Sequence, residues 1–156
     1  MRSAQSGALR AIVRIVLDTN VVVSGLLWSG RPARLLDLLR AGQASAFTSE
    51  ALLDELARVL SRRHLAPILA RHQANPTTLV QGYALLATAV PAAAIAAVVS
   101  TDPDDDAVLA CALAAGAELI VSGDKHLRNL KSYQLIPIVS AAEALAKIQR
   151  ETAGSA

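Results

Sequence analysis

The chain has one cysteine, Cys111, in 156 residues. No internal disulfide framework can form, and no cysteine-based zinc site. Cys111 lies among Ala and Leu, where a small buried hydrophobe is expected rather than a nucleophile. Aromatic residues are only 3 % of the chain, so its core has to be built from Leu, Val, Ile and Ala. Charged residues are 18 % against 53 % hydrophobic, which excludes a disordered chain. The formal net charge of +2 permits a polyanionic partner without requiring one. No apolar run has transmembrane length; Ala84 to Ser100 comes nearest, but it is mostly Ala with Pro91 inside. Met1 to Arg10 carries arginines, yet Arg14 interrupts the apolar run a signal peptide would need. A cytoplasmic protein with no membrane association is therefore expected. The chain also lacks a P-loop, a glycine-rich dinucleotide fingerprint and a Ser-His-Asp set.

What is present starts at Ile12. The run Ile12 to Leu17 is β-branched and apolar, reads as a buried strand, and stops on Asp18-Thr19-Asn20. These three residues suit a turn and a helix cap. They also suit chemistry, because ligands of an open parallel α/β sheet bind outside the carboxyl ends of its strands. Val21 to Trp28 reads as a helix broken at Ser29-Gly30, and Pro32 opens a second helix that reaches about Arg40 and ends at Gly42. Ala44 to Phe47 is a weak second strand. Thr48 or Ser49 caps the next helix, whose buried stripe is Leu52, Leu53, Leu56, Val59 and Leu60. At about 100° per residue, Asp54 faces away from that stripe, whereas Glu50 and Glu55 fall on its shoulders. Glu55 is thus the acid this helix can hold at the rim of a core.

Leu65 to Arg71 is a short helix, Asn75-Pro76-Thr77 a break with helix-start chemistry, and a further helix runs through Leu79, Val80, Tyr83 and Leu86. A third strand is expected within Ala87 to Val90 or after Pro91. Asp102 is the expected cap of the next helix and Pro103 its first residue. The helix proper, Ala107 to Ala115, is apolar nearly all round and ends at Gly116. Asp102, Asp104, Asp105 and Asp106 put four acids into five residues, more than a cap requires. The positive end of the helix dipole tolerates some of this charge. The remaining repulsion is of the kind a cation relieves. Asp106 leads directly into the apolar part and is expected to point inward. Glu118 to Val121 is a fourth strand that again ends on small polar residues and an acid, Ser122-Gly123-Asp124. A short strand near Ile136 to Val139 and a helix capped by Ser140 and reaching Gln149 complete the chain. His64, His72 and His126 are expected at the surface.

This alternation of strands and helices predicts an α/β fold, a three-layer α/β/α sandwich with a mainly parallel, about five-stranded sheet. Residues 12–150 form the expected single domain, between a flexible extension at 1–11 and a tail at 151–156. In that fold Asp18, Asp106 and Asp124 reach one edge and Glu55 joins them from a flanking helix. Carboxylates crowded this way do not all stay ionised unaided. Oxygen ligands select hard cations, Mg²⁺ or Mn²⁺, whose chemistry is hydrolysis of phosphate esters.

Four segments, taken together in order and spacing, resemble the PIN-domain nucleases, in particular the bacterial VapC-like toxin branch. They are Val16-Leu17-Asp18-Thr19-Asn20, the stretch from Thr48 to Leu56, the stretch from Asp102 to Ala112, and the stretch from Leu119 to Leu127. The resemblance spans nearly the whole chain from Ile12. It implies metal-dependent cleavage of RNA, with Asp18, Glu55, Asp106 and Asp124 holding one or two ions. It implies that Asn20 and Ser122 support the site by hydrogen bonds, a homodimer, and a protein antitoxin that occludes the cleft; Thr19, between Asp18 and Asn20, is a further candidate for a supporting or substrate-binding role. The segment before Ile12 is longer than that family's pattern, and Asp104 and Asp105 make its third acidic position ambiguous.

The reading that follows is a Mg²⁺- or Mn²⁺-dependent endoribonuclease acting on single-stranded or loop RNA, which threads a narrow cleft more readily than a duplex does. Lys125 and nearby basic residues, among them Arg31, Arg34, Arg58, Arg62, Arg63, Arg128 and Lys131, are placed to meet the phosphate backbone. Two other classes use the same acids. A non-catalytic module would dock a basic partner peptide on them. A receiver-like phosphoacceptor would need an acid at the end of a middle strand, and none occurs between Ala87 and Val99.

Overall fold

Alternate residues of the first strand face opposite sides of a sheet, and both sides are covered. The structure, a computed structural model, describes residues 12–91, 93 and 103–154. The expected extension at 1–11 and the expected cap Asp102 lie outside the described residues. Strand β1 (Val13–Leu17) sends Val13, Ile15 and Leu17 into one apolar cluster and Val16 into another. Strand β4 (Leu119–Val121) divides in the same way, with Leu119 and Val121 on the first side and Ile120 on the second. This is the period-two pattern of a strand buried on both faces.

The sheet has six strands in the order β3-β2-β1-β4-β6-β5. Strands β2 (Ala44–Thr48), β3 (Thr88–Ala89) and β6 (Ile136–Val139) join β1 and β4 in parallel pairing. The third strand thus falls inside Ala87 to Val90, the first of the two places expected for it. β5 (Ser132–Tyr133) is the addition to the expected five, and it pairs antiparallel with β6. Its turn residues Gln134 and Leu135 have φ of 49° and 68°. Such a tight hairpin turn is usually announced by Asn-Gly or Asp-Gly. Gln-Leu carries no such signal, so the hairpin was illegible in the sequence.

From β1 the chain steps outward to β2 and β3 on one side, and β4 and β6 lie on the other. The strand order therefore reverses between β1 and β4. In open α/β sheets that reversal opens a crevice at the strands' carboxyl ends.

Helices α1 (Thr19–Leu27), α2 (Arg31–Arg40) and α8 (Ala141–Ala153) cover one face of the sheet. α6 (Pro103–Ala115) and α7 (Lys125–Leu130) cover the other. Between α2 and α6 in the chain come α3 (Glu50–Leu60), α4 (Ala66–Arg71) and α5 (Pro76–Leu86). α3 straddles the sheet edge: Leu52 packs in the α6 cluster, whereas Leu56, Val59 and Leu60 pack with α1 and α2. Among the described residues side-chain caps start four helices, one of them α7 at Asp124. Ser49 Oγ accepts from Leu52 N at 3.3 Å, and Asn75 Oδ1 accepts from Thr78 N at 2.9 Å. Ser140 and Glu143 form a reciprocal capping box on α8.

Arg14, the charge inside β1, has a local explanation. Its guanidinium lies 4.3 Å from the centre of the Phe47 ring and donates to the carbonyl of Ala115, the last residue of α6. A cation at a helix C-terminus satisfies an orphan carbonyl and opposes the dipole. The central helix α6 is less enclosed than its composition suggested, since Leu113 is 39 % exposed. Among the described residues, no helix is long and apolar enough to cross a membrane.

Candidate metal centre

Asp18 ends β1 at the point where the strand order reverses, and it is only 5 % exposed. Its backbone N–H continues the ladder, donating to Val121 O at 2.9 Å. Asp18 occupies the N-cap position of α1, but its carboxylate makes no capping bond there. It accepts instead from the Ser122 hydroxyl at 2.8 Å, a fully buried contact between the ends of β1 and β4. The same Ser122 oxygen accepts the backbone N–H of Asp124 at 2.9 Å. One hydroxyl thereby fixes Asp18 and the segment carrying Asp124. Asp124 does cap a helix: its Oδ1 accepts from His126 N at 2.7 Å and Leu127 N at 3.3 Å and starts α7.

Glu55 arrives from α3. Thr19, the buried first residue of α1, donates its hydroxyl to Glu55 Oε1 at 2.5 Å. Glu55 is therefore tied to the residue next to Asp18. Burial raises its pKa above the usual carboxylate range, the Thr19 hydrogen bond pulls it back, the charges of Asp104 and Asp18 raise it further, and Arg58 lowers it. Desolvation and like charge together mark a carboxylate held where a cation is wanted. Arg58, one helical turn further along α3, meets Asp104 at 3.2 Å and links α3 to the start of α6.

The acids of the α6 first turn differ in burial. Asp105 is 4 % exposed, whereas Asp104 and Asp106 are only partly buried. The expectation that Asp106 is the inward-facing acid is corrected here. The reason is helical phase. Residues three, four and seven beyond Asp105 are Val108, Leu109 and Ala112, all fully buried. The same steps from Asp106 end on the exposed Leu113. Asp105 also has company: ligand atoms of Asp105, Asp124 and His126 all lie within 4.8 Å of one another. Oxygen donors with one imidazole at this separation fit a single divalent ion.

His126 is exposed, as expected for a surface residue, yet it stands in this group with Nδ1 3.7 Å from Asp124 Oδ1. Asp105 and His126 are the two members of the cluster that the sequence reading did not select. For Asp105 the sequence carried no phase signal, because α6 is apolar nearly all round. For His126 the only signal was its place two residues after Asp124, in the first turn of a short helix. Asn20 and Lys125 are exposed on the same rim, one residue into α1 and at the start of α7. The flanking residues Arg31, Arg34, Arg58, Arg62, Arg63, Arg128 and Lys131 are exposed as well. Arg128 pairs with Glu143 at 3.8 Å.

A mainly parallel α/β sheet with acids near its reversal point is an architecture with a candidate metal site at its crevice. Residues 14–126 match the PIN domain family model, which is more than half of the chain. The chain belongs to the PIN domain family, whose members are typically metal-dependent nucleases. No curated protein and no solved structure matched the chain.

Proposed function

We propose that the protein is a metal-dependent endoribonuclease that hydrolyses RNA phosphodiester bonds, with Asp18, Glu55, Asp105 and Asp124 as its metal-holding carboxylates. The observation that supports this most is the pair of hydroxyl links, Ser122 to Asp18 and Thr19 to Glu55, beside the Asp105–Asp124–His126 cluster. Asp105 takes the place expected of Asp106 because it is the buried acid of that turn. A bound Mg²⁺ or Mn²⁺ would supply Lewis acidity toward phosphate and lower the pKa of water.

The chain's own part is positional. Ser122 donates to the Asp18 carboxylate and, by accepting the Asp124 N–H, steadies the residue that caps α7. Thr19 favours the ionised form of Glu55, the form a ligand requires. Asn20 and Lys125 lie at the exposed rim, where a phosphate backbone arrives, and Lys125 acts there as a point charge. Single-stranded or loop RNA is the substrate this reading favours. In the same reading the protein is a cytoplasmic toxin of a toxin–antitoxin pair, a homodimer whose cleft a protein antitoxin closes.

The test is cleavage of a mixed RNA pool by the purified protein. Activity with Mg²⁺ or Mn²⁺, abolished by EDTA and by Asp18→Asn, is the expected result. Cleavage that persists in EDTA or in Asp18→Asn contradicts the mechanism. Metal binding without cleavage of any RNA favours the non-catalytic module.

A further inference from the structure

Beside the acids, at the same sheet edge, is a second feature of different chemistry. A pocket of about 210 Å³ opens where β1, β4 and β6 end, and it borders the Asp18 anchor because Ser122 lines both. Its lining contains no charged side chain. A phosphate or a basic peptide finds no counter-charge there, whereas a neutral, flat, hydrogen-bonding group does.

Of the polar groups on its wall Ser122 is committed to Asp18, whereas Asn20 and Ser24 are available. Asn20 and Ser24 stand four residues apart on α1, so both face the pocket from one side of that helix. Neither side chain makes a hydrogen bond to any described residue. Asn20 offers a donor and an acceptor side by side, the pattern that pairs with the edge of a base. Ser140, opposite, accepts from Glu143 N and keeps its own proton to donate. Val21, Pro32 and Ala141 supply apolar walls for the faces of a ring.

We infer that this pocket receives the nucleobase of the residue adjoining the scissile phosphate, and that Asn20, Ser24 and Ser140 read its edge. The inference rests on the endoribonuclease reading and extends it. Cleavage should then depend on sequence at one position, through a contact separate from the metal ligands. Substitution of Ser24, whose side chain makes no hydrogen bond to a described residue, changes which RNA is bound and leaves the carboxylates intact.

The experiment is anisotropy binding of six-nucleotide RNAs, each abasic at one position in turn, with Ca²⁺ in place of Mg²⁺ to suppress cleavage. The protein carries either the native pocket, Ser24→Val or Ser24→Ala. Ser24 lies on a helix and its hydroxyl bonds no described residue, so Ser24→Ala keeps the test available if Ser24→Val does not fold. In the native protein, removing the base at one position weakens binding about tenfold, the scale of one well-held base. In the variants the intact RNA binds about as weakly as that abasic RNA, and removing the base costs nothing more. The same per-position profile in all three proteins, or a flat profile in the native one, overturns the inference. If the native protein still cleaves RNA, the nuclease reading survives that outcome. If it binds no RNA at all, both fall.

Discussion

The Ser122 hydroxyl donates to Asp18 across the boundary between β4 and β1, joining residues 104 positions apart at 2.8 Å with both groups buried. A buried carboxylate deprived of a hydrogen-bond donor costs about 1–3 kcal/mol. Ser122→Ala removes this donor and also the acceptor of the Asp124 N–H. Urea denaturation should show a loss of about that size. Calorimetric titration with Mn²⁺ should show weaker binding, because Asp18 is no longer held in place. An unchanged midpoint and unchanged affinity would make the contact incidental.

Asp105 and Asp106 are neighbours with opposite prospects. Asp105 is buried and has ligand atoms within 4.8 Å of those of Asp124 and His126, whereas Asp106 is partly exposed. Asp105→Asn should abolish Mn²⁺ binding and lower cleavage by about a hundredfold or more, the scale seen when a group stabilising a transition-state charge is lost. Asp106→Asn should leave both within about threefold, as surface changes of under half a kcal/mol do. The opposite ranking would return the third ligand position to Asp106.

Glu55 gives the metal-free protein a pH dependence whose sign follows from its raised pKa. At low pH the carboxyl is protonated in both folded and unfolded chains. As pH rises past the ordinary value near 4.5, the unfolded chain releases its proton first, so stability falls. The loss is complete once pH passes the raised folded value. Glu55→Gln does not titrate. In EDTA its melting temperature should equal or exceed that of the native protein at pH 7, and the advantage should shrink as pH is lowered toward 4.5. Adding Mn²⁺ at pH 7 should raise the native melting temperature more than that of the variant. A gap that widens toward acid would contradict the assignment of burial and like charge as the causes.

The capping box on α8 gives a prediction about stability. Ser140 accepts from Glu143 N at 3.1 Å and Glu143 Oε1 accepts from Ser140 N at 2.9 Å. Ser140→Ala should cost about 1 kcal/mol in chemical denaturation. A cost near zero would mean that α8 is held by Leu145 and Ile148 against the sheet and not by its cap.

Much of this was legible because the strands are short, apolar and end on polar residues. Asp18 and Asp124 could be placed at one rim because Asp18 directly follows its strand and Asp124 follows within three residues of its own. The stripe of α3 put Glu55 on its shoulder, and the structure leaves it half-buried beside Thr19. Composition fails where all sides look alike. Along α6 nearly every residue is apolar, so phase had to be read from burial, and burial selects Asp105. His126 was illegible for another reason: its place in the cluster depends on how α7 starts, which the Ser122 and Asp124 hydrogen bonds decide. Pairing of Thr88–Ala89 with β2 depends on a partner strand and on no local pattern.

The most direct measurement is anomalous diffraction from crystals of the protein soaked in Mn²⁺. The account predicts a peak at ligand distance, about 2.0–2.6 Å, from carboxylate oxygens of Asp105 and Asp124, with Asp18 and Glu55 bordering it. A peak elsewhere on the surface, or none in crystals that retain the Asp105–Asp124 approach, would contradict it.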